Sequence, residues 1–198
     1  EFLLFLRVVP DAAAQDAVGR VGAAMGTGAN ACSGTLVAPS LVLTAAHCVA
    51  DPDSEMVAPP GAVFFVAGWD GAGHAGAARV RAITLHPDAF GADGFDVTHD
   101  LALLRLAGPV DLPVLPLGVS PVMGPFTLLG YGRSAPDALR RDADCAGTQD
   151  GALWRIGCPV ETGHSGGPVV AGTGAAARVV AVIVATTGEA TFAVPLDP

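Results

Sequence analysis

The chain has 198 residues, with 10 basic against 19 acidic side chains for a formal net charge of −9, and 51% of its residues are hydrophobic. A pI near 4.7 without any cationic run argues against phosphate backbones and anionic lipid as partners, so neither nucleic acid nor a membrane surface is expected. A mean hydropathy of +0.51 supplies a folded core, yet Arg, Asp, Gly or Pro breaks every apolar run short of the roughly 18 to 20 residues that cross a bilayer.

Along the chain, Phe2 to Leu6 resembles part of a secretion-signal apolar core. It lacks a preceding basic residue and a nearby cleavage site, and reads equally as a first strand. Short apolar stretches follow at Thr35–Val37, Val63–Ala67, Ala78–Leu85, Leu101–Leu106, Phe126–Leu129, Val179–Ala185 and Ala190–Val194, separated by Gly, Pro, Asp and Ser. That rhythm predicts an all-β fold. The best helical candidate is one turn over Ala45–Val49, after a strand ending at Thr44. Four prolines between Ala107 and Pro121 each lack a ladder donor, so this segment predicts an extended connector dividing the chain into residues 1–112 and 113–198. Each half is large enough for a small closed barrel. The four cysteines are even in number and include no C-x-x-C pair, which fits two disulfides and an oxidising compartment.

Three strings carry the chemistry. The first runs from Cys32 through Thr44-Ala45-Ala46-His47 to Cys48; the second is His99-Asp100 followed by Leu-Ala-Leu-Leu-Arg-Leu; the third is Thr162-Gly163-His164-Ser165-Gly166-Gly167-Pro168. Together, in the order His, Asp, Ser, they resemble the trypsin-like, chymotrypsin-fold serine endopeptidases, from about Val18 to Val194. The resemblance implies two antiparallel six-stranded Greek-key barrels, with the active site in the cleft between them. It implies that Ser165 is the nucleophile, His47 its base and Asp100 the carboxylate that orients the histidine, with oxyanion donors from the backbone N–H groups of Gly163 and Ser165. The competing readings are a core histidine for His47, a turn serine for Ser165, and a cap for Asp100, for whose role Asp93, Asp96 and His99 compete.

The resemblance also implies a Cys32–Cys48 disulfide around the histidine. The remaining Cys145 and Cys158 then pair, with a free-thiol or metal role as the competing reading. A cysteine seven residues before the serine resembles the bacterial branch that includes the staphylococcal glutamyl endopeptidase; the animal digestive branch has its cysteine four before, where Glu161 stands. That branch also has Asp just before the nucleophile, paired with a newly cut N-terminus, whereas here the residue is His164. An oxyanion turn held by other hydrogen bonds, His164 among them, is one expectation; a surface-tolerated His164 is the other. The substrate pocket is expected from Pro159 and Val160 at the base, Ala185, Thr186 and Thr187 on one wall, and Ala190 and Thr191 behind. None is charged, and Val184 stands where glutamyl-specific relatives place a histidine, so an uncharged first-site residue is expected. Asp51, Asp53 and Glu55 form an acidic loop without an EF-hand pattern. No cofactor and no metal are implied. The expected partner is a protein or peptide substrate, acted on by a secreted or periplasmic monomer. A catalytically silent binding protein on the same fold is the rival reading.

Overall fold

The computed structural model describes residues 12–23 and 31–196, so the Phe2–Leu6 run lies outside the described residues. After a short helix, Ala12–Asp16, the chain is built from strands: β1 Val18–Gly22, β2 Cys32–Ala38, β3 Leu41–Thr44, β4 Phe64–Ala67, β5 Gly76–Leu85, the paired β6 Phe90–Gly91 and β7 Gly94–Phe95, and β8 Ala102–Leu106. The second half holds β9 Phe126–Tyr131, β10 Leu139–Cys145, β11 Gly147–Asp150, β12 Leu153–Ile156, β13 Pro168–Ala171, β14 Arg178–Thr186 and β15 Thr191–Pro195. Every apolar stretch singled out in the sequence forms or enters a strand, and the turn expected over Ala45–Val49 is a 3-10 turn at Ala46–Cys48.

The first six long strands close into a barrel in the order β1-β2-β3-β8-β5-β4, all antiparallel. Closure leaves no unpaired edge, which is how short strands with apolar inner faces avoid pairing with other chains. Along β8 the alternation is strict: Ala102, Leu104 and Leu106 are buried while Leu103 and Arg105 are exposed. Phe65, Leu36, Leu104, Val18, Val21 and Val42 are fully buried in this half, each worth roughly 1.5–3 kcal/mol of burial for its apolar side chain.

The second sheet runs β10-β9-β13-β14-β15-β12-β11, seven strands where six were expected. The difference lies at one joint. β10 and β11 stand at opposite ends of the sheet yet are separated in sequence only by Ala146, so the sheet must curl until its two ends meet there. A register shift between Asp142 and Cys145, with Asp144 in the left-handed region at φ 58°, bends β10 just before Ala146, where the chain passes from β10 into β11. The core of this half is built from Phe126 stacked on Trp154 at 5.3 Å, with Ile156, Leu128, Val169 and Ile183 fully buried. The proline-rich connector forms no strand of either sheet; it buries Val110 and Leu115 and touches the second sheet through a bridge between Leu117 and Val179.

Candidate active site

His47 leaves the barrel on the 3-10 turn that follows β3. Its backbone N–H donates to Asp100 Oδ1 at 2.9 Å, and its ring Nδ1 meets Asp100 Oδ2 at 2.5 Å, so one carboxylate grips the residue at two points. Asp100 is completely buried while the imidazole stays about a quarter exposed, facing the cleft. The carboxylate sits just after another 3-10 turn, Val97–His99. That turn is capped by Asp96, which accepts from the Thr98 N–H at 2.9 Å and from the Thr98 hydroxyl at 2.7 Å, and pairs with His99 Nδ1 at 2.9 Å. These contacts, the Thr98 hydroxyl foremost, pull the Asp96 pKa down to about 2. Of the acids competing near Asp100, Asp96 is thus spent on its own turn, and it is Asp100 that meets His47.

Ser165 faces the same cleft as His47 and Gly163. Its turn is tied down from several directions. The Gly163 carbonyl accepts from the Ser33 hydroxyl at 2.9 Å, His164 N–H donates to the Glu161 carbonyl at 3.2 Å, the Ser165 carbonyl accepts from Ser33 N–H at 2.8 Å, and Gly166 N–H donates to the Ile183 carbonyl at 2.7 Å. The backbone N–H groups of Gly163 and Ser165 have no partner among the described residues, which leaves both donors available to an incoming oxyanion. Gly163 has φ +105°, and a Cβ there would lie 2.5 Å from the Tyr131 carbonyl, so only glycine fits.

Sequence reasoning missed Ser33. It lies on β2 of the first barrel, fully buried, and its hydroxyl both donates to the Gly163 carbonyl and accepts from the Tyr131 N–H at 2.9 Å, linking β9 to the Ser165 turn. The Ser33 carbonyl accepts in turn from the Thr44 hydroxyl at 2.8 Å. Its only signal in the sequence was its place beside Cys32.

His164 is fully buried, which overturns the surface-tolerated reading. Its Nδ1 lies 3.1 Å from the Glu161 carbonyl, while its Nε2 is buried without a hydrogen-bond partner. A ring nitrogen facing a carbonyl must carry the hydrogen, so Nδ1 donates and Nε2 keeps a bare lone pair. Burial pushes the His164 pKa below its ordinary value, favouring this neutral form. The ring lies on Gly130 of β9, where an added Cβ would approach Cδ2 to 2.8 Å.

Both disulfides are present, Cys32–Cys48 and Cys145–Cys158. Donor atoms of Cys32, His47 and Cys48 lie within 4.8 Å of one another, but the two sulfurs are bonded to each other, so they form no ligand set. In the acidic loop, Asp51 Oδ1 accepts from the N–H groups of Asp53 and Ser54, closing a local turn. The expected pocket residues are stitched together by threonine hydroxyls. Thr186 donates to the Val160 carbonyl at 2.7 Å, Thr191 donates to the Cys158 carbonyl at 2.7 Å, and Val160 N–H donates back to the Thr191 hydroxyl at 3.1 Å. Thr187 N–H closes the wall onto the Ala190 carbonyl, and Ala185 precedes it on β14. Of the pair expected at the base, Val160 is buried and Pro159 is exposed.

No curated protein sequence matches the chain significantly. Solved structures do match in fold. A thermostable serine protease AL20 from an extremophilic microorganism superposes with a TM-score of 0.76 at 22% identity, covering 92% of each chain. The protease Anisep from Arthrobacter nicotinovorans gives 0.70 at 19% identity, covering 91% of this chain and 90% of its own. A Glu endopeptidase gives 0.74 at 17% identity, covering 90% and 83%. Residues 32–182, most of the chain and all three strings, match the family described as trypsin-like peptidase domain. The chain belongs to the trypsin-like peptidase domain family, whose fold is that of serine-type endopeptidases.

Proposed function

We propose that the protein is a serine endopeptidase that cleaves peptide bonds through an acyl-enzyme on Ser165, with His47 as the base and Asp100 as its orienting carboxylate. The observation that carries this reading is the double grip of the buried Asp100 on His47, in the same cleft as a Ser165 turn with two N–H groups that are unpaired among the described residues. With Nδ1–H held by the carboxylate, the Nε2 lone pair is free to take the Ser165 proton as Oγ attacks the scissile carbonyl. The imidazolium then returns that proton to the leaving amine, and a water activated by the same histidine releases the acid. The Gly163 and Ser165 N–H groups receive the oxyanion.

The division at residues 112 and 113 assigns His47 and Asp100 to one barrel and Ser165 to the other. The uncharged pocket side chains Val160, Ala185, Thr186 and Thr187 support a small or medium apolar residue on the acyl side of the cut. Two disulfides support a secreted or periplasmic protein, which we read as a monomer acting on peptide or protein substrates. The silent-binder reading needs a collapsed oxyanion turn, and the network around Gly163 and Ser165 argues against it. The test is labelling by a fluorophosphonate probe near neutral pH, read by intact mass. One adduct on the wild type and none on Ser165→Ala is expected. A folded wild type that takes no label would overturn the mechanism, and efficient cleavage after Glu or Arg in a peptide library would overturn the pocket assignment.

A further inference from the structure

The loop between β9 and β10, residues 132–138, is fastened along its length to two different parts of the molecule. Toward the candidate site, Arg133 N–H donates to the Thr162 carbonyl at 2.9 Å, and Ser134 gives its N–H at 2.9 Å and its hydroxyl at 2.5 Å to the Glu161 carboxylate. A Cβ on Gly132 would collide with that carboxylate, so loop and turn are in direct contact. Glu161 and Thr162 stand immediately before Gly163. Farther along, the same loop is held by the first barrel. The Arg20 guanidinium of β1 donates to the Pro136 carbonyl at 2.8 Å, and the Trp69 indole N–H donates to Asp137 Oδ1 at 2.6 Å.

The anchor on the first barrel is firm in its own right. Trp69 lies between β4 and β5, and that connection closes on itself: Asp70 Oδ1 accepts from the N–H groups of Ala72 at 3.0 Å and Gly73 at 2.8 Å, and Ala75 N–H donates to the Ala67 carbonyl at 2.9 Å. The Tyr131 hydroxyl is hydrogen-bonded to the backbone of Trp69 and Gly68, which ties the start of the loop to the same place. Arg20 is 4% exposed, and its Nε has no hydrogen-bond partner among the described residues. A buried guanidinium short of partners is costly, so Arg20 favours the loop position in which the Pro136 carbonyl meets it and Asp137 Oδ1 stands 3.8 Å away. The Asp137 side chain is itself mostly exposed, and it is not among the residues that line the cleft of His47 and Ser165.

We propose that Asp137 is a positioning residue, the latch by which Trp69 and Arg20 of the first barrel hold the 132–138 loop and, through the bonds of Arg133 to Thr162 and of Ser134 to Glu161, aim the Gly163 N–H. This rests on the acyl-enzyme mechanism proposed above. With the latch closed, the Thr162 carbonyl and the Glu161 carboxylate are held from a fixed frame. With it open, the loop carries both groups with it and the turn loses its outer support. Asp137 touches no substrate on this reading, so its loss weakens the grip on the developing oxyanion and leaves the binding of uncharged substrate as it was.

The experiment measures kcat and KM for p-nitrophenyl butyrate in Asp137→Ala, Asp137→Asn, Trp69→Phe and the double variant Trp69→Phe with Asp137→Ala, each normalised to the sites that take a fluorophosphonate label. Asp137→Ala is expected to lower kcat about tenfold with KM within about twofold, less than the loss of a whole oxyanion donor because the donor is misaimed and not removed. Asparagine keeps an oxygen for the indole N–H, so Asp137→Asn should bring kcat back to within about twofold of the wild type. Trp69→Phe keeps the ring and drops the N–H; it should match Asp137→Ala, with no further loss in the double variant, as befits two ends of one bond. The Asp137 side chain is exposed, so its variants are expected to fold, which a melting curve checks, and Ile156→Val in the core is the control for lost stability alone. Full kcat in Asp137→Ala, a rise in KM in place of a fall in kcat, Asp137→Asn as slow as Asp137→Ala, or additive losses in the double variant would overturn the latch and leave the mechanism standing. A folded wild type that neither turns over the ester nor takes the label would overturn the mechanism, and this proposal with it.

Discussion

Ser33→Ala removes one hydroxyl and unpairs two buried groups. The Tyr131 N–H loses its acceptor and the Gly163 carbonyl loses its donor, both inside the contact between the barrels. A buried polar group left unsatisfied costs about 1–3 kcal/mol, and the lost oxygen leaves little void, so a total of about 2–6 kcal/mol is expected for the two groups. For a domain of this size that lowers Tm by roughly 4–24 °C. The second effect is on catalysis. The peptide between Gly163 and His164 is pinned at both ends, its oxygen to Ser33 and its N–H to the Glu161 carbonyl. Releasing the oxygen lets the turn rotate and misdirects the Gly163 N–H. Loss of a whole oxyanion donor costs about 100- to 1000-fold, so a misdirected one should lower kcat for a small ester by about 10- to 100-fold, with KM little changed. Ile156→Val in the core of the second barrel is the control, costing about 1 kcal/mol of stability with kcat intact. Thermal melts and initial rates on both variants decide the matter. A Ser33→Ala protein that melts with the wild type, or loses stability while keeping full kcat, would refute the positioning role.

Asp100→Asn keeps the volume but presents the wrong partner to Nδ1, so kcat/KM should fall about 10⁴-fold with the fold intact by circular dichroism; retention of a tenth of the activity would reassign the carboxylate. Replacing Cys32 and Cys48 by Ala opens a closure of 16 residues and should cost about 3 kcal/mol in urea unfolding, against which an unchanged midpoint would count. His164 makes stability depend on acid. Its folded pKa lies below the ordinary value of 6.5, so the unfolded chain binds the proton first, and stability is lost as pH falls below about 6.5 toward the lowered folded value. Asp96, held at about 2, stabilises the fold above 3.8 and loses that contribution as pH falls through about 2, in a separate and lower window. Melts of wild type and His164→Asn across this range should show a slope between neutral pH and pH 5 that the variant flattens; parallel curves would contradict the assignment.

The strands with apolar alternation were legible because a half-buried sheet writes its inner face into every second residue. β8 is the example, while β14 was legible as an unbroken apolar run buried on both faces; the strings around His47, Asp100 and Ser165 lie beside such strands. β10 was not legible. Its Leu-Arg-Arg-Asp-Ala-Asp-Cys sequence is exposed or half-buried up to Cys145, and its place is fixed by pairing with β9 and by the Cys145–Cys158 bridge, neither of which leaves a periodic trace. The seventh strand is the same effect, the chain dividing at Ala146 into β10 and β11 just after the Asp144 bulge. Ser33 was hidden for a different reason. A serine on a buried strand reads as a small polar residue, and only the approach of a second barrel turns its hydroxyl into the bond that holds the Gly163 carbonyl.

The histidine before Ser165, the proposed nucleophile, changes how the proposed oxyanion turn can be held. A carboxylate buried there would need a cation beside it, because an unpaired buried charge costs several kcal/mol. Arg140, the cation that acts on His164, is already bonded to Asp142 on the exposed strand β10. A neutral imidazole needs only a carbonyl, and Glu161 provides one three residues away on the same turn. Glu161 itself is fixed by its carboxylate, which accepts from the N–H and hydroxyl of Ser134 and, through this bonding, has its pKa held below the usual range. The chain of contacts therefore runs from Ser134 to Glu161 to His164 on one side of the turn, and from Thr44 to Ser33 to Gly163 on the other. Each link is a hydrogen bond within the folded barrels. Among the described residues, Ser33 and His164 thus tie from both sides the turn on which the Gly163 and Ser165 N–H groups stand open, and on the proposed mechanism this packing aims them.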